Sequence, residues 1–156
     1  QIAEQLKWKN IAFFAPKQEG YQDDFLLKAD KNPNTFGATK ILKLSESAKD
    51  ITAIIDKAKK GELDGLFIFG HDLAKIFGPE TLKAVRQKTK TLLYEGWTQN
   101  PTAESADVVL PSATFAEKSG TFTNFEGRVQ KFKKALEPLG DSRPTLDILK
   151  DLGALV

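Results

Sequence analysis

The polar residues best placed for chemistry lie where two predicted strands end. Gly70, His71 and Asp72 follow one apolar run, and Glu95 closes the next one along the chain. Parallel α/β folds bind ligands at the carboxyl ends of strands, where a helix start suits a phosphate and a carboxylate suits a ribose or a base edge. The alternatives are a tight turn capped by Asp72, a solvated Glu95 and an exposed loop histidine. The residues alone leave both interpretations open.

The chain lacks the residues for a self-sufficient catalytic or metal centre. His71 is the single histidine, so it is the only imidazole base that a catalytic triad could use. There is no cysteine, which excludes disulfides, thiolate zinc sites, a cysteine nucleophile and cysteine-ligated iron–sulfur clusters within these residues. We therefore predict no catalytic residues and no metal ligands.

The composition is that of an ordinary folded domain, which we predict over residues 1–156 with a tail from about residue 141. The formal net charge is +2, from 23 basic and 21 acidic residues, so no strong field selects nucleic acid or an anionic membrane. The longest apolar runs are about five residues, far short of the roughly twenty that span a bilayer. Because the chain begins at Gln1 and contains no methionine, we expect a fragment of a longer protein.

Short apolar runs alternate with stretches of helical spacing, which is the pattern of a parallel sheet flanked by helices. The predicted strands cover residues 11–15, 41–44, 66–69, 91–94 and 108–110. The predicted helices cover residues 21–29, a stretch capped by Ser45 or Ser47 that ends at residues 59–61, and residues 71–77, 79–88, 113–118 and 144–155. We expect a mostly parallel, Rossmann-like, doubly wound α/β sheet with helices on both faces and a terminal helix.

A hairpin is predicted between the last strand of this sheet and the terminal helix. Residues 121–123 and 129–132 are β-prone and flank the Asn-Phe-Glu-Gly connection at residues 124–127. A basic stretch overlaps the second of these segments and is interpreted as a solvated face, with contact to an anionic partner as the alternative. Its members are Arg128, Lys131, Lys133 and Lys134.

The segment that begins with Ala106–Pro111 resembles the molybdopterin oxidoreductase superfamily. Here ADVVLP is followed by EKSGTFTNFEGRVQ at residues 117–130, and the superfamily carries an ADVVLP strand followed by E-K-x-G-T-x-x-N-x-E-G-R-x-Q. The amino-acid sequence of residues 124–130 is most similar to the C-terminal α/β region of the cluster-bearing subunit of NADH-quinone oxidoreductase, respiratory complex I. The matching motif positions are Asp107, Pro111, Glu117, Gly120, Asn124, Glu126, Gly127 and Arg128.

These motif residues are expected to have structural roles. Both motif glycines permit backbone angles that a side chain would strain, and Asn124 can bond its own backbone within the turn. Glu117, Glu126 and Arg128 are expected to clamp the turn onto the sheet through ion pairs. The substitution Arg128→Ala should then lower the thermal stability.

The resemblance also maps the superfamily's contacts to molybdopterin guanine dinucleotide onto this chain, at Gly70, His71, Asp72 and Glu95. Glu95 stands where aspartate is usual, and the usual Asn-Pro is absent at residues 71–72. We therefore expect a vestigial set and no cofactor in this fragment. The resemblance implies that the parent protein holds iron–sulfur clusters in a cysteine-rich N-terminal portion, and that the fragment is not catalytic alone.

The resemblance thus favours a structural domain of the NADH dehydrogenase type, in the cluster-bearing subunit of NADH-quinone oxidoreductase. Its partners would be other domains of the parent chain and other subunits, in the cytoplasmic peripheral arm of a membrane-bound complex. The alternative is the molybdopterin-guanine-dinucleotide-binding domain of a molybdenum oxidoreductase such as formate dehydrogenase. A free-standing nucleotide-binding module is a third interpretation.

Overall fold

The computed structural model describes residues 10–15, 19–42 and 51–154. Its contacts divide the chain into two compact units. We call the first the sheet unit, whose described residues are 52–118 and 134–154. We call the second the hairpin unit, whose described residues are 10–15, 19–42, 51 and 119–133. The prediction of a single domain over the whole chain stays a prediction.

The described residues form six helices and five strands. The helices are α1 (Thr35–Leu42), α2 (Ile51–Lys60), α3 (Leu73–Phe77), α4 (Pro79–Lys88), α5 (Pro101–Ser105) and α6 (Thr145–Ala154). The strands are β1 (Gly65–Phe69), β2 (Thr91–Gly96), β3 (Val108–Pro111), β4 (Gly120–Thr123) and β5 (Val129–Phe132).

The sheet unit is built on a parallel three-stranded sheet in the order β1-β2-β3. β1 pairs with β2 from Gly65 opposite Thr91 to Phe69 opposite Glu95, and β2 pairs with β3 in the same direction. Helices lie between successive strands, as parallel strands require a crossover connection. The prediction of a parallel, Rossmann-like α/β fold is therefore confirmed, with three of the predicted strands in this sheet.

Several helix ends in the sheet unit lie at residues whose types favour a helix end. α2 ends in three lysines, and Gly61 follows it with a φ of 75°, a conformation that favours glycine after a helix. Pro79 occupies the first turn of α4, where the missing N–H costs nothing. Asn100 caps α5 by accepting the Ala103 N–H at 3.0 Å. Such signals made the end of α2 and the start of α4 predictable, whereas α5 was not predicted, although Asn100 before Pro101 is a signal of the same kind.

The apolar core belongs to the sheet unit. Its buried apolar side chains are Ile55, Ala58, Ile68, Leu73, Leu82, Val85, Leu92, Tyr94, Ala103, Ala113 and Ile148. Tyr94 is 1% exposed, and its hydroxyl accepts the Asn100 side-chain N–H at 2.7 Å, so its polar end is satisfied inside the core.

The hairpin unit contains β4 and β5, which are antiparallel, and α1 beside β4. The register places Thr123 opposite Val129, so the connection spans residues 124–128, one residue more than the predicted Asn-Phe-Glu-Gly segment. The side chain of Asn34, just before α1, accepts the Thr123 N–H at 2.8 Å. This bond joins the helix to the hairpin.

Two predictions for residues 21–44 are wrong. Residues 21–29 form bends and not a helix, because the Asp23 carboxylate accepts the backbone N–H groups of residues 25, 26 and 27 at 2.6–3.0 Å. A carboxylate that takes these donors offers the backbone an alternative to helical bonds. Ile41 and Leu42 end α1 and do not begin a strand, and residues 43–50, with Ser45 and Ser47, lie outside the described residues.

Two further predictions differ from the structure. Residues 11–15 are in no strand, although four of the five are half-buried. Apolarity predicts burial, but a strand also needs a partner in a hydrogen-bonded ladder. Residues 113–118 form turns and not a helix: the Glu117 N–H donates to the Thr114 oxygen at 3.2 Å in a single turn, and the chain enters β4 at Gly120 before a second turn can follow.

Candidate functional site

Gly70 leaves the carboxyl end of β1 with a φ of 64°, which favours glycine. Its N–H donates to the backbone oxygen of Glu95 at 2.6 Å, so it extends the pairing of β1 with β2. A Cβ at Gly70 would lie 3.9 Å from the ring of Trp97, which is ordinary van der Waals contact. The glycine serves the turn, and its N–H is already used by the protein.

Asp72 caps α3, and its carboxylate is bound within the protein. One oxygen accepts the Ala74 N–H at 3.0 Å and the Thr102 hydroxyl at 2.9 Å. The Thr102 oxygen in turn accepts the Leu73 N–H at 2.8 Å, and Thr102 is fully buried. This chain of bonds ties the start of α3 to α5, which is the tight capped turn that the sequence allowed.

His71 lies between these two residues and is half-buried. Its burial lowers the pKa of the imidazole, since removal from water disfavours the charged form. The neutral ring therefore predominates near pH 7. This differs from the interpretation of an exposed loop histidine.

Glu95 is buried and not solvated, with 3% of its surface exposed. It lies in β2 opposite Phe69 of β1 and Leu110 of β3, in the middle of the sheet. Its carboxylate accepts the Thr145 hydroxyl at 2.6 Å and so connects the sheet to the start of α6. A buried carboxylate without such a partner would be costly.

Asp107 and Pro111 hold the two ends of β3. The Asp107 carboxylate accepts the Leu92 N–H at 2.8 Å and pairs with the Arg86 guanidinium. The Pro111 oxygen accepts the Arg143 N–H at 3.1 Å. Both residues therefore fix β3 against neighbouring segments of the sheet unit.

The hairpin turn depends on Asn124. Its side-chain oxygen accepts the N–H groups of Glu126 at 3.1 Å and Arg128 at 2.8 Å, and its backbone pairs with Arg128. Gly127 has a φ of 86°, and a Cβ there would lie 3.0 Å from the ring of Phe36. The turn thus uses Asn124 and Gly127 in the manner that the sequence predicts. The special backbone angle predicted for Gly120 is wrong, because that residue has no positive φ.

The part of the predicted ion-pair clamp that lies within the hairpin unit, between Glu126 and Arg128, is wrong. Among the residues that the structure describes, the Arg128 side chain has no ion pair. Glu126 contacts the Asn124 side chain at 3.5 Å, and Glu117 is used by Thr114. Long side chains lose rotamer freedom in a surface ion pair and gain little energy, so a short sequence separation does not enforce one.

A groove that the sequence analysis missed lies beyond the carboxyl ends of β2 and β3. It belongs entirely to the sheet unit and has a volume of about 450 Å³. The residues that matter for its chemistry are Trp97, Glu104, Val109, Ser112, Glu117 and Leu139. Trp97, an aromatic residue directly after a predicted strand, is the one feature of the sequence that could have indicated the groove. The other lining residues come from segments that are distant in sequence.

Two polar features give the groove its character. Ser112 is 1% exposed, and its hydroxyl has no hydrogen-bond partner in the part of the chain that the structure describes. The Thr114 backbone N–H is the main cause of a lowered pKa at Glu117, and the Thr114 hydroxyl and the Leu139 N–H act in the same direction. Glu117 therefore stays ionised well into the acidic range.

The described residues contain no group of three or more histidine or acidic side chains that could hold a metal ion. Within the same residues, no helix has the length and apolar character that crossing a membrane would need.

The sequence profile of the molybdopterin oxidoreductase family matches residues 4–155. The chain belongs to this family. Similar members include the NADPH-Fe(3+) oxidoreductase subunit alpha of Geobacter sulfurreducens, which is 36% identical over 107 residues, or 68% of this chain. A Staphylococcus aureus protein with the provisional name formate dehydrogenase is 35% identical over 136 residues, or 86% of this chain. These matches cover 13% and 14% of the relatives, so the chain spans about one seventh of their length.

The residues of this molybdopterin oxidoreductase domain do not fit the guanine dinucleotide of the family as the resemblance mapped it. The Glu95 carboxylate is buried and bonded to Thr145, and one Asp72 oxygen already accepts two donors. The Gly70 N–H is spent on the backbone of β2. A base edge that binds at Glu95, or a phosphate that binds at the Gly70 N–H, would have to displace these internal bonds.

Proposed function

We propose that this domain is a structural part of a larger redox enzyme, of the kind found in the cluster-bearing subunit of NADH-quinone oxidoreductase, and that it binds no pterin cofactor. The supporting observation is the placement of Glu95, whose carboxylate is 3% exposed and joined to Thr145. The acidic group that a nucleotide would need instead stabilises the contact between the sheet and α6.

The electron carriers of such an enzyme would lie in other parts of the parent protein, as iron–sulfur clusters. The absence of cysteine from this chain supports that division. The partners of the domain would be the remaining domains of the parent chain and the neighbouring subunits. Its place would be the cytoplasmic peripheral arm of a membrane-bound complex.

The second candidate is a molybdopterin-guanine-dinucleotide-binding domain of a molybdenum oxidoreductase such as formate dehydrogenase. The name of the Staphylococcus aureus relative favours it. The position of the groove, beyond the carboxyl ends of β2 and β3, also favours it, because open α/β sheets bind ligands there.

Cofactor analysis of the intact protein separates the two candidates. The protein is purified from its source, molybdenum is measured by mass spectrometry, and pterin is measured by fluorescence after oxidation. A molybdenum formate dehydrogenase serves as the positive control. The structural role predicts neither molybdenum nor pterin, and stoichiometric amounts of both would overturn it.

The substitution Glu95→Ala provides a second readout. The structural role predicts a lower melting temperature, because the variant loses the buried bond to Thr145. The matched variant Glu95→Gln keeps an oxygen acceptor for the Thr145 hydroxyl and should lose less. A cofactor-binding role instead predicts that Glu95→Ala lowers the pterin content of the purified protein.

A further inference from the structure

The groove of the sheet unit has hydrogen-bond acceptors that the protein does not use in ion pairs. Glu104 and Glu117 both line it, and neither has an ion pair among the described residues, although one Glu117 oxygen accepts the Thr114 N–H. The unpartnered hydroxyl of Ser112, 1% exposed, is an independent sign that a polar group is missing at this place. The groove therefore suits a ligand that carries several donors.

The groove also has an aromatic wall. Trp97 is 54% exposed, and the ammonium of Lys118 lies 5.8 Å from the centre of its ring. This contact shows that the indole is within reach of a cation, and an indole face attracts cations through its quadrupole. Leu139, 82% exposed, and Val109, 48% exposed, add apolar surface along the same groove.

We propose that this groove docks an arginine side chain of a neighbouring polypeptide, an inference that rests on the structural role proposed above. A guanidinium is planar and weakly hydrated, so it stacks on an indole more readily than an ammonium does. Its five N–H donors can serve two carboxylates and a hydroxyl together. The groove favours a cation, because it has two carboxylates and, among the described residues, only the ammonium of Lys118 lies beside its tryptophan to offset them.

A matched set of peptides tests the proposal on the purified protein. The probe is the peptide Leu-Arg-Leu-NH₂ with a fluorophore on its N-terminal amine, and its binding is followed by fluorescence anisotropy. The comparison peptide carries citrulline, which has the shape of arginine without its charge. We expect the citrulline peptide to bind at least about tenfold more weakly. We expect the lysine peptide to fall between the two, because lysine keeps the charge but not the planar fork.

Substitutions in the groove locate the binding. Each of three substitutions should lower the affinity for the arginine peptide by about fivefold: Glu104→Gln, Glu117→Gln and Trp97→Leu. The glutamine at 117 keeps an oxygen for the Thr114 N–H, so the loop is preserved. Glu80→Gln is the control, because Glu80 is exposed on α4 and does not line the groove. It should leave the binding unchanged.

Equal binding of the arginine and citrulline peptides would overturn the proposal, and so would groove variants that bind like Glu80→Gln. Competition of the arginine peptide by a guanine nucleotide at stoichiometric concentration would assign the groove to a nucleotide instead. These outcomes are independent of the molybdenum and pterin content, which alone decides the structural role.

Discussion

The side-chain hydrogen bonds that hold the carboxyl ends of the strands in the sheet unit span more of the chain than those that hold the turn of the hairpin unit. In the sheet unit, Thr145 bonds to Glu95 across 50 positions and Thr102 bonds to Asp72 across 30. In the hairpin unit, the Asn124 side chain bonds to residues two and four positions on. The bond from Thr123 to Asn34, across 89 positions, is the long-range exception there.

This difference has an energetic consequence. The two long-range bonds of the sheet unit involve the buried residues Glu95 and Thr102, and a buried donor or acceptor that loses its partner cannot turn to water. The bonds of the hairpin turn are exposed, so water can replace a lost partner. Substitutions that remove polar bonds should therefore cost more in the sheet unit, and most at the carboxyl ends of its strands.

Thr102→Val should give the largest effect. It removes the acceptor of the buried Leu73 N–H and the donor to Asp72, with almost no change in volume. We expect a loss of about 3 kcal/mol in the free energy of unfolding, measured by urea denaturation. Thr102→Ser keeps the hydroxyl and should lose much less. Equal losses in both variants would show that the methyl group, and not the bonds, matters.

Gly96→Ala should come next, and it tests packing at the end of β2. An added Cβ would lie 2.7 Å from two ring carbons of Tyr94, which is 1% exposed and cannot move away easily. Overpacking of this kind costs about 2 kcal/mol. Gly65→Ala is the matched control, because its Cβ would meet Thr91 at an ordinary 3.6 Å. Equal melting temperatures for Gly96→Ala and Gly65→Ala would contradict this account.

Asn124→Ala moves the test to the hairpin unit. It removes two acceptor bonds to the turn, but both freed N–H groups are exposed to water. We therefore expect a loss of about 1 kcal/mol, clearly smaller than for Thr102→Val. Asn124→Asp retains the acceptor oxygen, so its free energy of unfolding should stay close to that of the unsubstituted protein. If Asn124→Ala lowered the free energy of unfolding as much as Thr102→Val does, burial would not explain the difference between the two units.

The same contrast explains which predictions from the sequence were correct. The strands β1, β2 and β3, the hairpin and the helix ends follow from signals within a few residues, such as Pro79 and Gly61. The turn around Asn124 is likewise a local arrangement, and its asparagine and glycine predicted it. Such features need no knowledge of the rest of the chain.

The errors arise where a side chain bonds in a way that composition does not reveal. The Asp23 carboxylate draws in three backbone N–H groups and so prevents the helix predicted for residues 21–29. The burial of Glu95 depends on Thr145, which lies 50 positions further on. The groove depends in the same way on walls such as Leu139. A single sequence does not show these long-range contacts.

A pH series should give a smaller effect, again in the sheet unit. Burial lowers the pKa of His71 in the folded protein. As the pH falls to about 6.5, the imidazole therefore takes up a proton in the unfolded chain while it is still neutral in the folded protein. The stability that the neutral ring contributes is present above about pH 6.5 and is lost as the pH falls through the folded pKa. His71→Gln should therefore narrow the difference in melting temperature between about pH 7.5 and pH 5. An unchanged difference would contradict a buried, neutral imidazole.

Arg128→Ala should have the smallest effect of all. The sequence predicts destabilisation through a clamp, but the Arg128 side chain is exposed and forms no ion pair among the described residues. Its contribution to the turn comes from the backbone, which alanine retains through the N–H bonded to Asn124. We expect a change within about 0.5 kcal/mol, measured by urea denaturation beside Asn124→Ala. If Arg128→Ala instead destabilised the protein as much as Asn124→Ala, the guanidinium would have a partner in solution, and the turn would not be held by local backbone bonds alone.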